Sequence, residues 1–188
     1  MKRIFGAAVI FFLSGGALAQ SNAAPTADLS YTYGGIRFVD FDDNGGSGLR
    51  FEGSYDLGNN WIILGGYTTA DFNNDVDVSW LEIGGGYVWS YTQDWDLVGT
   101  AQYVRADADT GFGSSDESGF RLSGGVRGLI APKIELRGSV NYIDLDSSDT
   151  YLELAGDYYF TQQFAAGVSL EFAGDSDLIS FGARYFFR

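Results

Sequence analysis

Alternation with a period of two dominates the chain. In Ile134-Glu135-Leu136-Arg137-Gly138-Ser139-Val140-Asn141-Tyr142, one face reads Ile, Leu, Gly, Val, Tyr and the other Glu, Arg, Ser, Asn. That is a strand with one apolar and one polar side. Leu49 to Tyr55 and Phe120 to Gly124 repeat the pattern, and no window shows sustained helical spacing. Segmenting on alternation and turn residues predicts ten strands: 29–42, 48–57, 61–70, 78–89, 95–105, 119–130, 134–144, 150–160, 164–173 and 178–187. Eight strands result if one early hairpin is misread. Strands 29–42 and 61–70 mix their parities: Arg37 shares a face with Tyr31 and Tyr33, which leaves their orientation open.

The connections alternate in kind. Gly58-Asn59-Asn60, Tyr91 to Asp94, Ala131-Pro132-Lys133 and Thr161-Gln162-Gln163 are short, and each is followed by an apolar residue, Trp61, Trp95, Ile134 or Phe164. The other five are acidic: Asn44 to Ser47, Asp71 to Asp77, Ala106 to Ser118, Asp146 to Asp149 and Gly174 to Asp177. With their strand-end neighbours they hold most of the 25 acidic residues. One end of the molecule is therefore strongly negative.

Composition narrows the chemistry. The 188 residues include no His and no Cys, which removes imidazole bases, thiolate nucleophiles, disulfides and N-terminal lipidation on cysteine. Residues 1–19 read as a cleaved export signal: Lys2 and Arg3, an apolar run from Ile4 to Leu13, then Ala17-Leu18-Ala19. Its apolar core is too short to span a bilayer. A short segment, 20–28, then precedes one domain, 29–188. Two of the 11 basic residues fall in the signal, leaving nine against 25 acidic ones. A chain so acidic repels nucleic acid and attracts divalent or basic partners.

Two environments fit the alternation. A soluble periplasmic ligand-binding barrel turns its apolar faces inward; a transmembrane barrel turns them to lipid and fills its interior with polar groups. Three features favour the second. Export without an anchor leaves the Gram-negative envelope or exterior. Short turns alternating with longer loops match the periplasmic and extracellular ends of such barrels. Aromatics crowd the strand ends, with Trp61, Trp89, Tyr91, Trp95, Tyr159, Phe160, Phe164, Tyr185, Phe186 and Phe187 near the short turns. Phe41, Tyr103, Tyr142, Tyr151 and Phe172 lie near the acidic loops. Two aromatic bands suit two lipid–water interfaces.

On these residues the chain resembles the small outer-membrane β-barrel proteins, the OmpA/OmpX-type families in the broad sense. Its last strand, Ile179 to Phe187, alternates Phe181, Tyr185 and Phe187 as theirs do, with Arg188 following. The resemblance implies an all-β, antiparallel up-and-down transmembrane barrel in the cell outer membrane. It also implies contact with outer-membrane lipid and lipopolysaccharide, periplasmic chaperones and the barrel-assembly machinery during insertion, and a monomer. Arg50, Arg121, Arg127, Arg137 and Arg184 then point inward with Glu52, Glu82, Glu135, Glu153, Asp157 and Glu171, a nearly neutral network expected to fill the lumen. A lipid-facing Arg at mid-membrane costs about 2–4 kcal/mol, so the faces are not interchangeable.

Enzymes built on such small barrels use a catalytic histidine, and this chain has none; no cofactor is expected. Glycine pairs such as Gly65-Gly66 open no helix and carry no Lys-Ser/Thr, so they are bends in a curved sheet rather than phosphate loops. Asp40-Phe41-Asp42-Asp43-Asn44-Gly45 matches the start of a calcium loop, with Asp40, Asp42 and Asn44 as candidate ligands. The twelfth position is Phe51, not Glu. Loose Ca2+ or Mg2+ association with the acidic end is the corresponding expectation. The reading is a non-enzymatic barrel with a structural or surface-interaction role; a narrow passive pore is its rival.

Overall fold

The computed structural model of the protein describes residues 29–41, 46–72, 76–110, 113–173 and 176–187. The export signal, segment 20–28, Asp42 and Asn44 lie outside them. Ten strands follow one another: β1 (Tyr33–Phe41), β2 (Gly46–Gly58), β3 (Trp61–Phe72), β4 (Val76–Ser90), β5 (Trp95–Thr110), β6 (Gly113–Ala131), β7 (Ile134–Asp144), β8 (Ser148–Tyr159), β9 (Phe164–Ala173) and β10 (Ser176–Phe186). Each pairs antiparallel with its neighbours in sequence. β1 closes on β10, from Tyr33 opposite Phe186 to Phe41 opposite Leu178. Closure removes every free edge. Ten strands, not eight, form the wall.

The short turns follow local chemistry. Asn59 and Asn60 both take positive φ, 53° and 70°, directly after Gly58 at 81°. That is the left-handed pair a two-residue hairpin requires, and Asn tolerates it best after Gly. The expectation from such barrels makes this the periplasmic end and the acidic end the extracellular one.

The acidic connections are shorter than their composition suggests. Ala106 to Ser118 is almost all strand: β5 and β6 pair continuously from Trp95 opposite Gly128 to Thr110 opposite Gly113. Asp71 to Asp77 likewise belongs largely to β3 and β4, which stay paired to Phe72 opposite Val76. Beyond the bilayer both faces of a strand meet water. Polarity there ceases to alternate while the backbone ladder continues, so acidic strand resembles acidic loop.

The wall is apolar outside. Large side chains exposed on the isolated chain include Ile83 at 61 %, Trp89 at 62 % and Val140 at 55 %, with others on every strand, whereas the buried apolar residues are few and mostly small. An apolar surface this extensive demands lipid. The soluble arrangement, with an oily middle, is overturned.

Candidate functional site in the barrel lumen

The lumen holds three layers. At the periplasmic end Tyr159, Ala165 and Phe186 form a buried cluster against Tyr33 and Leu129, with the Tyr159 and Phe186 rings stacked at 5.3 Å. At the extracellular end the inward rings of Phe41, Phe72 and Trp80 meet, Phe41 lying 5.0 Å from Phe72 and 6.1 Å from Trp80. Buried Val39, Ala70 and Val104 complete that layer. Thus Tyr159, Phe186, Phe41 and Tyr151, assigned above to the lipid interfaces, face inward instead. Tyr151 accepts a hydrogen bond from Arg121 Nη1 at 2.8 Å. Near each end of a narrow barrel, inward rings fill space that charged side chains leave, so aromatic content alone does not mark the lipid face.

Between these layers lie the charges. Glu135 on β7 is fully buried and its carboxylate is shared. Arg127 of β6 donates Nη2 to Oε2 at 2.9 Å, Arg184 of β10 donates Nη2 to Oε1 at 2.7 Å, and the Tyr159 hydroxyl donates to Oε2 at 2.5 Å. Asp157 of β8 takes Arg184 at 2.8 Å, Arg137 at 3.2 Å and Arg37 at 3.7 Å. Arg37 of β1 in turn donates Nε to Glu52 of β2 at 3.2 Å. This chain of pairs runs from β6 to β2 across the barrel interior. A second group sits beside it: Arg50 reaches Glu171 of β9 at 2.8 Å and Thr68 at 3.1 Å, and Arg121 pairs with Glu82.

Two glycines make room for this. A Cβ on Gly182 would strike the Arg37 side chain and the Ile36 carbonyl, and one on Gly167 would strike the Asp157 carboxylate. Both glycines face inward, one strand away from the charge they accommodate. They are lumen space as well as bends.

All eleven charged residues predicted to line the lumen point into it, and ten of them form ion pairs; Glu153 faces a cavity. The sequence reading missed Arg37, Asp96 and Tyr31. The Tyr31 ring lies 4.5 Å beneath the Arg127 guanidinium, its hydroxyl donates to Asp96 at 2.9 Å, and the Ser30 carbonyl accepts from Arg127 Nη1 at 2.9 Å. Residues 30–33 therefore fold under the periplasmic end of the lumen. The mixed face of Tyr31, Tyr33 and Arg37 was the available signal: these tyrosines are lumen residues stacked on arginines.

The interior is not solid. A cavity of about 210 Å³ runs along the inner wall of β2 to β8, from Tyr31 and Ile62 to Gln102 and Glu153.

Outside the bilayer, Arg105 on β5 pairs with Asp107 at 2.9 Å and Asp116 of β6 at 3.7 Å. The hydrogen bonds to Asp107, then the charges of Asp107 and Asp116, raise the guanidinium pKa above its ordinary value. These groups are well exposed, so solvent and salt screen them. Asp107→Asn is expected to leave the unfolding midpoint in urea unmoved at high salt. Asp40 lies on the outer face of β1, opposite Ser47 and Ile179. Among the described residues, no group of three or more acidic side chains is placed to hold a metal ion.

Residues 5–172 match the outer membrane protein beta-barrel domain family. No curated protein matches the chain. Among solved structures it is similar to the KdgM porin in complex with disordered oligogalacturonate, at 12 % identity and a TM-score of 0.51, covering 83 % of this chain and 99 % of that one. The NanC porin is 10 % identical with a TM-score of 0.52, covering 82 % and 100 %. An outer membrane channel from Pseudomonas putida F1 is 9 % identical with a TM-score of 0.52, covering 89 % and 100 %. At these identities the likeness is one of fold. With its lipid-facing wall and the family match over nearly the whole chain, the protein belongs to the outer membrane β-barrel family and resides in the outer membrane.

Proposed function

We propose that this is a non-enzymatic envelope barrel whose lumen is held shut, and which meets its surroundings through the acidic hairpins at its extracellular end. The carrying observation is the chain of ion pairs from Arg127 through Glu135, Arg184, Asp157 and Arg37 to Glu52. Its members belong to six different strands, so the pairs cross the interior instead of lining it. Buried carboxylates and guanidiniums in such contact do not part readily, because each would be left unpaired in a poorly solvated space. The aromatic layers above and below add to the obstruction.

A second reading is a narrow passive pore. The cavity along β2 to β8 favours it, as does the likeness in fold to porins and a channel. Planar-bilayer recording of the refolded full chain separates the two. The closed barrel predicts a silent membrane over the voltage range in which porins show steps. Reproducible single-channel steps from the wild-type protein would establish the pore and end the closed-lumen proposal.

A further inference from the structure

Each of the six lumen arginines has a carboxylate partner within ion-pair distance. Five carboxylates share them: Glu52, Glu82, Glu135, Asp157 and Glu171. Two more lie in the same interior. Asp96 accepts the Tyr31 hydroxyl. Glu153 lines the cavity, and among the described residues it has neither an ion pair nor a hydrogen bond. Seven carboxylates thus face six guanidiniums, and the surplus negative charge sits where the lumen is empty.

The surroundings of Glu153 do not neutralise it. Directly opposite on β9 is Glu171, whose partner is Arg50; opposite on β7 is Ser139. Arg137 and Arg50 contribute positive field at Glu153, and Glu171 and Glu52 act against them. Both arginines are held by other acids. Asn141 donates its amide to Ser139 at 3.0 Å, which leaves the Asn141 carbonyl oxygen as a further acceptor on the cavity wall. An isolated carboxylate in a confined interior is costly and recruits a counter-charge.

We propose that this cavity is a binding site for one small monovalent cation of the potassium or ammonium class, held by Glu153 with the Asn141 carbonyl and the Ser139 hydroxyl beside it. One surplus charge calls for one positive charge. The cavity is also roomy enough for the ion to keep part of its hydration shell. The site goes beyond the closed-barrel reading and stands whether or not the lumen conducts.

The test uses the refolded full chain in detergent micelles at fixed pH and ionic strength, with potassium or ammonium replacing N-methylglucamine, a cation far larger than either. The readout is the temperature at which the folded, fast-migrating gel band is lost. Binding to the folded state alone raises that midpoint saturably, by about 3–6 °C at tenfold excess over Kd. Glu153→Gln is expected to abolish the cation dependence and to keep the midpoint at or above the cation-free wild-type value. A wild-type midpoint indifferent to the cation overturns the site. So does a midpoint that follows pH alone, since a proton is then the counter-charge, and so does a dependence that survives in E153Q. A second measurement does not require E153Q to fold. The chain has no cysteine, so S139C supplies a single thiol in the cavity. A cationic thiosulfonate should modify it several-fold faster than an anionic one of equal size; equal or reversed rates overturn the site.

Discussion

Glu135→Ala is expected to be the most destabilising single substitution in the lumen, at about 3–5 kcal/mol, the cost of breaking a buried ion pair from one side. Glu135 accepts from Arg127, Arg184 and the Tyr159 hydroxyl, and Arg137 Nε stands 3.7 Å away. Removing the carboxylate leaves the buried Arg127 with no ion-pair partner, and Arg184 and Arg137 with Asp157 alone, between two aromatic layers. Asp157 cannot compensate, because it already serves Arg184, Arg137 and Arg37. Unfolding in urea, followed by loss of the fast-migrating gel band, should show E135A refolding poorly. Glu135→Gln should fall between, since the amide oxygen still accepts one donor while the charge is lost. An E135A midpoint equal to that of wild type would mean that water, not Glu135, holds these arginines apart.

The residues involved explain how much of this was legible. Along Ile134 to Tyr142 the alternation places Glu135 and Arg137 inside and Ile134, Leu136 and Val140 outside, as found. A period of two fixes side-chain direction along a strand, and the cost of an Arg in lipid fixes which side is which. Partners are another matter. Glu135 meets Arg184, 49 residues away, through closure of β1 on β10 and the register of four strands. No local pattern encodes that. Where polarity and direction part company, the reading stayed open or failed: in strand 61–70, left unoriented, Ile62 is buried inside beside the short turn, and Tyr159 and Phe186, assigned to lipid, stack beneath the charges. The hairpin of β5 and β6 was hidden for the converse reason, since a strand surrounded by water has no polarity contrast to reveal it.

The same contrast yields the second large effect. Leu154 lies on the outer face of β8, opposite Gly138 on β7 and Leu170 on β9, and is 45 % exposed on the isolated chain. It sits between Tyr158, on the same outer face toward the periplasmic end, and the extracellular ring of Tyr142 and Phe172. Leu154→Arg places a guanidinium near the bilayer midplane and is expected to cost about 2–4 kcal/mol. Thr150 has the same parity on β8 but pairs with Tyr142 at the extracellular interface. Thr150→Arg should cost about 0–1 kcal/mol, because its head reaches the headgroup region. Reversible unfolding in phospholipid vesicles measures both. In detergent micelles, whose surface yields to a charge, the gap between them should narrow. A gap that persists unchanged in micelles would assign the cost to packing against Gly138, which Leu154 overhangs, and not to the lipid.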